Sequence, residues 1–207
     1  MKVKLCGIRR PEDVAYLNEF RPDYAGFVFA GTRRRVTPET AAALAEKLDA
    51  GIRKAGVFVD EPAESIARTV RLAGLDAVQL HGNESAETVA ELRRLLPGVE
   101  LWKAVRVRDR NSIPRALELG ADRLVLDSFS ASAYGGTGKT ADWSLIREAN
   151  PPVPYFLAGG LNSGNVALAV AELSPYGVDV SSGIETGGVK DRRKIEQIMR
   201  ILRKVGS

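Results

Sequence analysis

Two side chains that could carry acid–base chemistry stand at the ends of short apolar segments of the 207-residue chain. Cys6 ends the first segment, and Asp127 directly follows the apolar residues 124–126. A lone cysteine is usually a small buried apolar residue, but near Lys4 its thiol could have a lowered pKa and act as a general base. An aspartate at such a position often caps a turn, yet a partly desolvated carboxyl group keeps its proton more readily and could act as an acid.

Two glycine-containing loops near the end of the chain could bind a phosphate group. Gly159 and Gly160 follow one apolar segment, and Ser182 and Gly183 follow the next, ahead of a possible helical turn at residues 183–185. Glycine lets the backbone approach a ligand closely, and free amide groups at a helical turn attract anions. Each pair alone would suit an ordinary turn, but two such loops after neighbouring strands favour a phosphate site that needs no metal.

His81 and the run Arg33, Arg34 and Arg35 are further candidates. A single histidine at a strand end could be a base or a ligand, but it is more often a hydrogen-bonded residue beside the site. An arginine run is most simply a solvated loop. In a site without a metal, however, one arginine that points inward could bind an acidic group of the substrate.

Residues 133–140 (AYGGTGKT) fit a relaxed nucleotide-binding loop. Such a loop should join a strand directly to a long helix, whereas here several residues follow Asp127 first and the next helix begins only near Asp142. Nucleotide hydrolysis is therefore disfavoured. The glycines suit a mobile lid over a substrate better.

The elements that must position these residues alternate along the whole chain. Short, largely β-branched apolar segments predict eight strands, several of them apolar on both faces, as is typical of strands covered on both sides. The predicted strands are residues 3–6, 24–29, 55–59, 77–80, 101–107, 123–126, 154–158 and 177–180.

Helical spacing fills the intervals between these strands. The clearest helices are predicted at residues 61–72, 85–96 and 192–202, and Thr37 precedes Pro38 as a possible N-cap. Eight strand–helix units predict a (β/α)₈ barrel, with an open doubly wound sheet as the alternative. No boundary or linker interrupts the chain, so residues 1–207 are expected to form one domain.

Composition excludes several classes of protein. There are 30 Lys and Arg against 26 Asp and Glu, and the two signs are interleaved, so no nucleic-acid partner is predicted. One cysteine and one histidine leave no disulfide and no Cys- or His-rich metal site within the chain. No apolar run is long enough to cross a membrane. We expect a cytoplasmic protein, as a monomer or a homodimer.

At the level of motifs, the sequence resembles the phosphoribosylanthranilate isomerase family of tryptophan biosynthesis along essentially its whole length. The motifs are residues 4–8 (KLCGI), 26–29 (GFVF), 34 with 36–38 (R, VTP), 56–59 (GVFV), 78–82 (VQLHG), 126–128 (LDS), 135–138 (GGTG), 142–143 (DW), 158–161 (AGGL) and 180–185 (VSSGIE). Each alone is weak, but together they are specific.

The resemblance implies a (β/α)₈ barrel that needs no cofactor and no metal. The implied reaction is an Amadori rearrangement of the small molecule N-(5-phosphoribosyl)anthranilate, with Cys6 as the base, Asp127 as the acid and Arg34 as a substrate-binding residue. We expect His81 to contact the substrate as well, and Gly159, Gly160, Ser182 and Gly183 to hold its phosphate group.

Two other functions remain open at this point. The sister isomerase of histidine biosynthesis performs the same rearrangement, but it resembles a larger barrel with an aspartate where Cys6 stands. A barrel that binds a phosphorylated ligand without turnover is the second alternative, although the presence of both Cys6 and Asp127 disfavours it. Turnover of the two phosphoribosyl substrates would distinguish all three.

Overall fold

Eight parallel strands form a closed barrel in the computed structural model, which describes residues 1–127 and 143–205. The strands are β1 (Lys2–Cys6), β2 (Tyr24–Val28), β3 (Arg53–Phe58), β4 (Ala77–Leu80), β5 (Glu100–Arg106), β6 (Arg123–Asp127), β7 (Tyr155–Ala158) and β8 (Gly177–Val180). Each strand pairs with the next, and β1 pairs with β8, with Leu5 opposite Val180 at this seam. The predicted (β/α)₈ barrel is confirmed, and the alternative prediction of an open doubly wound sheet is wrong.

A helix follows each strand. The helices are α1 (Pro11–Phe20), α2 (Pro38–Ala45), α3 (Ala63–Ala73), α4 (Ala86–Leu95), α5 (Ser112–Leu117), α6 (Ser144–Ala149), α7 (Val166–Leu173) and α8 (Arg192–Val205). The predicted cap of α2 is confirmed, since the Thr37 hydroxyl accepts a hydrogen bond from the Thr40 amide at 3.2 Å. Among the helices that the structure describes, none is long and apolar enough to cross a membrane.

Two details differ from the sequence-based expectation. Asp127 is the last residue of β6 rather than the first residue after it, because its backbone still pairs with β7. A two-stranded hairpin, β9 (Glu185–Thr186) and β10 (Val189–Lys190), follows β8 and was not predicted. Its strands of two residues are too short to show a periodic pattern. The predicted lid at residues 133–140 and the helix start near Asp142 lie outside the described residues.

Alternation of side chains along each strand divides the barrel into an inner and an outer set. On β6, Leu124 and Leu126 belong to the large apolar core between barrel and helices, whereas Val125 belongs to a second cluster inside the barrel. On β1, Leu5 faces the outer core, so Lys4 and Cys6 face inward. The strand period therefore decides which polar residues can meet inside.

An aromatic cluster fills the barrel near the strand starts. Phe156 is fully buried, and its ring lies 4.9 Å from that of Trp102, 5.5 Å from that of Tyr176 and 5.7 Å from that of Tyr24, centroid to centroid. Large rings suit this position because a closed barrel has to be filled by its own side chains. They close that end, so the open space lies at the strand ends.

We predict that Phe156→Ala lowers the free energy of unfolding by about 3–5 kcal/mol, because it removes a ring from a packed interior and leaves a cavity. Urea denaturation measures this loss. The matched control is Leu168→Ala on the exposed face of α7, which should change stability by about 0.5 kcal/mol or less. Equal losses from both variants would show that the aromatic cluster contributes little to barrel stability.

Candidate active site

A cavity of about 790 Å³ opens at the carboxyl ends of the strands. Seven of the eight predicted site residues line it, namely Cys6, Arg34, His81, Asp127, Gly159, Gly160 and Ser182. Cys6 ends β1 and Asp127 ends β6, so the candidate base and acid come from distant parts of the strand ring to line one cavity. This is the end of a (β/α)₈ barrel where active sites are found.

Gly183, the eighth predicted residue, does not line the cavity but supports its wall. It lies in a 3₁₀ turn at Ser182–Ile184, which replaces the turn predicted at residues 183–185. A Cβ atom on Gly183 would overlap the carbonyl oxygen of Leu161. Glycine is therefore needed here for the close approach of the loop after β7 to the turn after β8.

The loop after β7 adopts backbone angles that only glycine takes up readily. Gly159 has φ of 93° and Gly160 has φ of 64°. Both residues line the cavity together with Ser182 from the neighbouring turn. The two loops thus meet at one edge of the cavity, where their backbone can approach an anion.

Cys6 is buried at the cavity wall, where its sulfur packs against β2. A Cβ atom on Gly26 would come within 2.8 Å of the Cys6 Sγ, so the absence of a side chain at Gly26 makes room for the thiol. Burial raises the pKa of Cys6, and the charges of Lys4 and Lys190 offset only part of this effect. The expected lowering of this pKa in the ligand-free protein is therefore wrong, because desolvation of the thiolate outweighs the nearby cations.

A chain of hydrogen bonds runs beneath the cavity from β8 to β4. The Lys4 ammonium, fully buried, donates to Asp179 Oδ2 at 2.7 Å and to Gln79 Oε1 at 2.8 Å. The Gln79 Nε2 lies 3.1 Å from the His81 Nδ1. Because Lys4 can only donate, it fixes the carbonyl oxygen of Gln79 toward itself and the amide nitrogen toward His81.

His81 is consequently a neutral ring with a defined tautomer. Its Nδ1 accepts the hydrogen bond from Gln79, which leaves the proton on Nε2. Burial, reinforced by the positive charge of Lys4, lowers the pKa of His81 below its ordinary value of 6.5. The ring lines the cavity and can donate a hydrogen bond from Nε2 to a bound molecule.

Arg34 is held at the cavity by a bidentate ion pair with Glu185 of the hairpin. Its Nε and Nη2 lie 2.7 Å from the two carboxylate oxygens, and Lys190 approaches the same carboxylate at 2.9 Å. Burial alone would raise the pKa of Glu185, but hydrogen bonds from Arg34 and Lys190 lower it to about 2. Gly7 leaves the necessary space, since a Cβ there would lie 2.6 Å from the Arg34 Cδ.

The other two arginines of the run occupy different surroundings. Arg35 is exposed, and although its backbone bridges to Val28, it lines a separate pocket rather than the main cavity. Arg33 lines the cavity, but its side chain is 65% exposed and lies 3.5 Å from Glu185. Arg34 alone of the three combines partial burial with two short contacts to one carboxylate.

Another buried ion pair, Lys103 with Glu84, fixes the loop that carries His81. Lys103 of β5 donates to Glu84 Oε2 at 2.7 Å and to the carbonyl oxygen of Gly82 at 2.6 Å. The other oxygen of Glu84 accepts from the amides of Gly82 and Asp60. These bonds join the ends of β3, β4 and β5, so the backbone beside His81 is held from three strands.

Four further residues of the site were not predicted from the sequence: Gln79, Asp179, Glu185 and Lys190. A usable signal existed for the first two, because each is the one polar side chain of an otherwise apolar strand, AVQL and GVDV. Glu185 and Lys190 gave no such signal, since they lie on strands of two residues. Within the part of the chain that the structure describes, no three His, Cys, Asp or Glu side chains form a group that could hold a metal ion.

Comparison with known proteins places this site in one family. The family model described as N-(5'-phosphoribosyl)anthranilate (PRA) isomerase matches residues 3–200. The chain belongs to this family. The N-(5'-phosphoribosyl)anthranilate isomerase of Acetivibrio thermocellus is 47% identical over 206 residues, covering 96% of this chain and 94% of that protein.

Solved structures of the family have the same fold. The phosphoribosyl anthranilate isomerase of Thermotoga maritima is 36% identical with a TM-score of 0.88, over 99% of both chains. A structure of phosphoribosyl anthranilate isomerase in complex with reduced 1-(o-carboxyphenylamino)-1-deoxyribulose 5-phosphate is 33% identical with a TM-score of 0.84, again over 99% of both chains.

We predict that the ring of His81 titrates below its ordinary value in the folded protein, because burial and Lys4 disfavour the charged form. NMR of ring protons measures this without ambiguity, since the chain has one histidine. The control is the same chain in urea, where the midpoint should return to about 6.5. Stability should then fall as pH drops through this value, because the unfolded chain binds the proton first. A folded midpoint at or above the urea value would contradict the geometry.

Proposed function

We propose that this chain is an isomerase that converts N-(5-phosphoribosyl)anthranilate to 1-(2-carboxyphenylamino)-1-deoxyribulose 5-phosphate in tryptophan biosynthesis. The observation that carries this proposal is the arrangement of Cys6 and Asp127 on one cavity whose edge is formed by the glycine loops after β7 and β8. An acid, a base and an anion site are the groups that an Amadori rearrangement of a phosphorylated sugar requires. Family membership supports the same reaction.

Asp127 supplies the acid for ring opening. It donates a proton to the furanose ring oxygen as the bond between that oxygen and C1′ breaks, and the nitrogen lone pair forms a double bond to C1′. The ring oxygen becomes the C4′ hydroxyl, and the product of this step is an iminium ion. A general acid of this kind contributes roughly 10²–10⁴-fold to the rate.

Cys6 supplies the base for the second step. Its thiolate removes the proton from C2′, and the electron pair of that bond moves to form the C1′–C2′ double bond while the iminium nitrogen is neutralised. The resulting enolamine then takes up a proton at C1′ and loses the C2′ hydroxyl proton, which gives the ketone. C2′ is oxidised as C1′ is reduced within the same molecule, so the reaction needs no external oxidant or reductant.

Arg34 and the glycine loops bind the two anionic ends of the substrate. We assign the phosphate group to the backbone of Gly159, Gly160 and Ser182, with Gly183 supporting the turn, because these loops are placed where barrels of this type bind phosphate. We assign the anthranilate carboxylate to the guanidinium of Arg34, which Glu185 orients. His81 contributes a hydrogen bond to the substrate.

The protein acts as one domain in the cytoplasm, as a monomer or a homodimer, on a small-molecule substrate. The decisive assay follows the loss of fluorescence of freshly prepared phosphoribosylanthranilate on addition of the protein. The phosphoribosyl substrate of the histidine pathway is tested in parallel. Turnover of the latter alone, or of neither, would overturn the proposed activity.

Removal of either proton-transfer group should nearly abolish turnover. We expect Cys6→Ser and Asp127→Asn each to lower kcat by roughly 10²–10⁴-fold, because a serine hydroxyl is a poor base and an amide cannot transfer a proton. Binding of a product analogue, measured by calorimetry, should survive in both, since the phosphate loops and Arg34 are unchanged. Near-native kcat in either variant would remove that residue from the mechanism, and His81 would be the next candidate for the acid.

Arg34 and Arg35 form a matched pair for testing carboxylate binding. Arg34→Ala should raise KM and lower kcat/KM, because it removes the guanidinium that Glu185 holds at the cavity. Arg35→Ala should change kcat/KM little, because Arg35 is exposed and lies elsewhere. Steady-state kinetics measures both, and an equal or larger loss in Arg35→Ala would refute the assignment.

A further inference from the structure

Five charged side chains surround the thiol of Cys6 on its own side of the cavity. They are the cations Lys4, Arg34 and Lys190 and the carboxylates Asp179 and Glu185. Three positive and two negative charges leave an excess of one positive charge when the thiol is protonated. The thiolate would bring this group to neutrality, so the arrangement favours one further negative charge at Cys6.

The excess positive charge lies in the half of the group that contains the hairpin. Lys4 is neutralised by Asp179, with which it forms a buried pair at 2.7 Å. On the other side, Arg34 and Lys190 share the single carboxylate of Glu185, which the largely exposed Arg33 approaches only to 3.5 Å. Arg34 contacts both carboxylate oxygens of Glu185. This carboxylate therefore neutralises the charge of Lys190 only in part.

Lys190 is linked through Ser181 to the backbone that carries Cys6. Its ammonium donates to the carbonyl oxygen of Ser181 at 3.0 Å, and the Ser181 hydroxyl donates to the carbonyl oxygen of Cys6 at 3.1 Å. A Cβ atom on Gly7, the next residue, would lie 3.3 Å from the ammonium nitrogen. The Lys190 side chain is 1% exposed, so water screens its charge little.

We propose that Lys190 is a positioning residue of this reaction: its ammonium group, held by Glu185 and the Ser181 carbonyl, stabilises the thiolate of Cys6 and acts through it. The inference rests on the proposed function for its catalytic consequence, but the electrostatic effect belongs to the ligand-free protein. Burial lowers the pKa of Lys190 while Glu185 and the Cys6 thiolate oppose that shift.

Groups on the other walls of the cavity act on this pair from farther away. His81 on β4 is neutral, and Arg106 on β5 and Asp127 on β6 carry opposite charges in their ionised forms. The charges that act most on the Cys6 thiol are instead those of Lys4, Asp179 and Lys190. The group formed by β1, β8, the loop after β2 and the hairpin dominates the field at the thiol.

The test measures the rate of Cys6 alkylation by iodoacetamide against pH in the full chain, read by mass spectrometry. The chain has one cysteine, so the rate reports the thiolate fraction of Cys6 alone. We expect Lys190→Met to raise the apparent pKa by about one unit, which lowers the alkylation rate about tenfold at a pH below it. Lys190→Arg, which keeps the charge, should restore most of the rate.

A matched control uses the other lysine that contacts the hairpin. Lys194 donates to the backbone carbonyl of Glu185 at 2.6 Å. In the part of the chain that the structure describes, its ammonium forms no hydrogen bond with Ser181 or with the side chain of Glu185. Lys194→Met removes one positive charge from the same region and should leave the alkylation profile unchanged. If Lys194→Met and Lys190→Met shift the profile equally, a general charge effect replaces the proposed one.

Glu185→Gln should shift the pKa of Cys6 in the opposite direction, and it provides a second test if Lys190→Met does not fold. It removes a negative charge that partly balances Lys190 while keeping an acceptor oxygen, so the apparent pKa of Cys6 should fall. Loss of packing alone would not give opposite shifts in the two variants. An unchanged profile in Lys190→Met, or an upward shift in Glu185→Gln, would overturn the proposal.

Kinetics separates this inference from the proposed function. In the isomerase assay, Lys190→Met should move the rising limb of kcat/KM to higher pH by the same amount as the alkylation profile. A shifted alkylation profile in a protein without isomerase turnover would support the role of Lys190 and contradict the proposed activity. Isomerase turnover together with an unshifted alkylation profile in Lys190→Met would support the proposed activity and contradict the role of Lys190.

Discussion

Closure of the eight strands forces every second strand residue into a narrow interior, and the rest of the molecule depends on this constraint. The aromatic cluster occupies the first inward positions, the Lys4–Asp179 pair the next, and the Cys6 and Asp127 side chains the last. Each layer supports the one above it. The cavity therefore has a closely packed floor, in which the Lys4 ammonium bonds to both Asp179 and Gln79.

Charge in this interior is arranged in shared networks rather than isolated groups. Lys4 meets both Asp179 and Gln79, and Glu185 meets both Arg34 and Lys190. A buried charge is costly unless it is paired and hydrogen-bonded. The networks also fix orientation. Lys4 and His81 together orient the amide of Gln79, and the two oxygens of Glu185 orient the guanidinium of Arg34. The site is thus preorganised by the same bonds that make its burial tolerable.

The barrel was predictable from sequence because a closed parallel sheet leaves a strong pattern: eight apolar segments with a helix after each. Cys6, Asp127 and the glycine loops were predictable because strand ends gather at one mouth, whatever their separation in the chain. The hairpin was not, since two-residue strands carry no period. The pKa of Cys6 was misjudged for a related reason: Lys4 is visible two residues away, but the depth at which the thiol is buried depends on packing from β2 and β8.

The seam between β1 and β8 has a consequence for how the protein is made. Synthesis begins at the end that carries Cys6, whereas Asp179, Glu185 and Lys190 are translated near the other end. Until β8 docks, the first strand lacks one of its two neighbours, and Cys6 lacks the charged groups of Asp179 and Lys190 that act on it in the folded protein. The environment of the single cysteine is therefore completed only when the last strand closes the barrel.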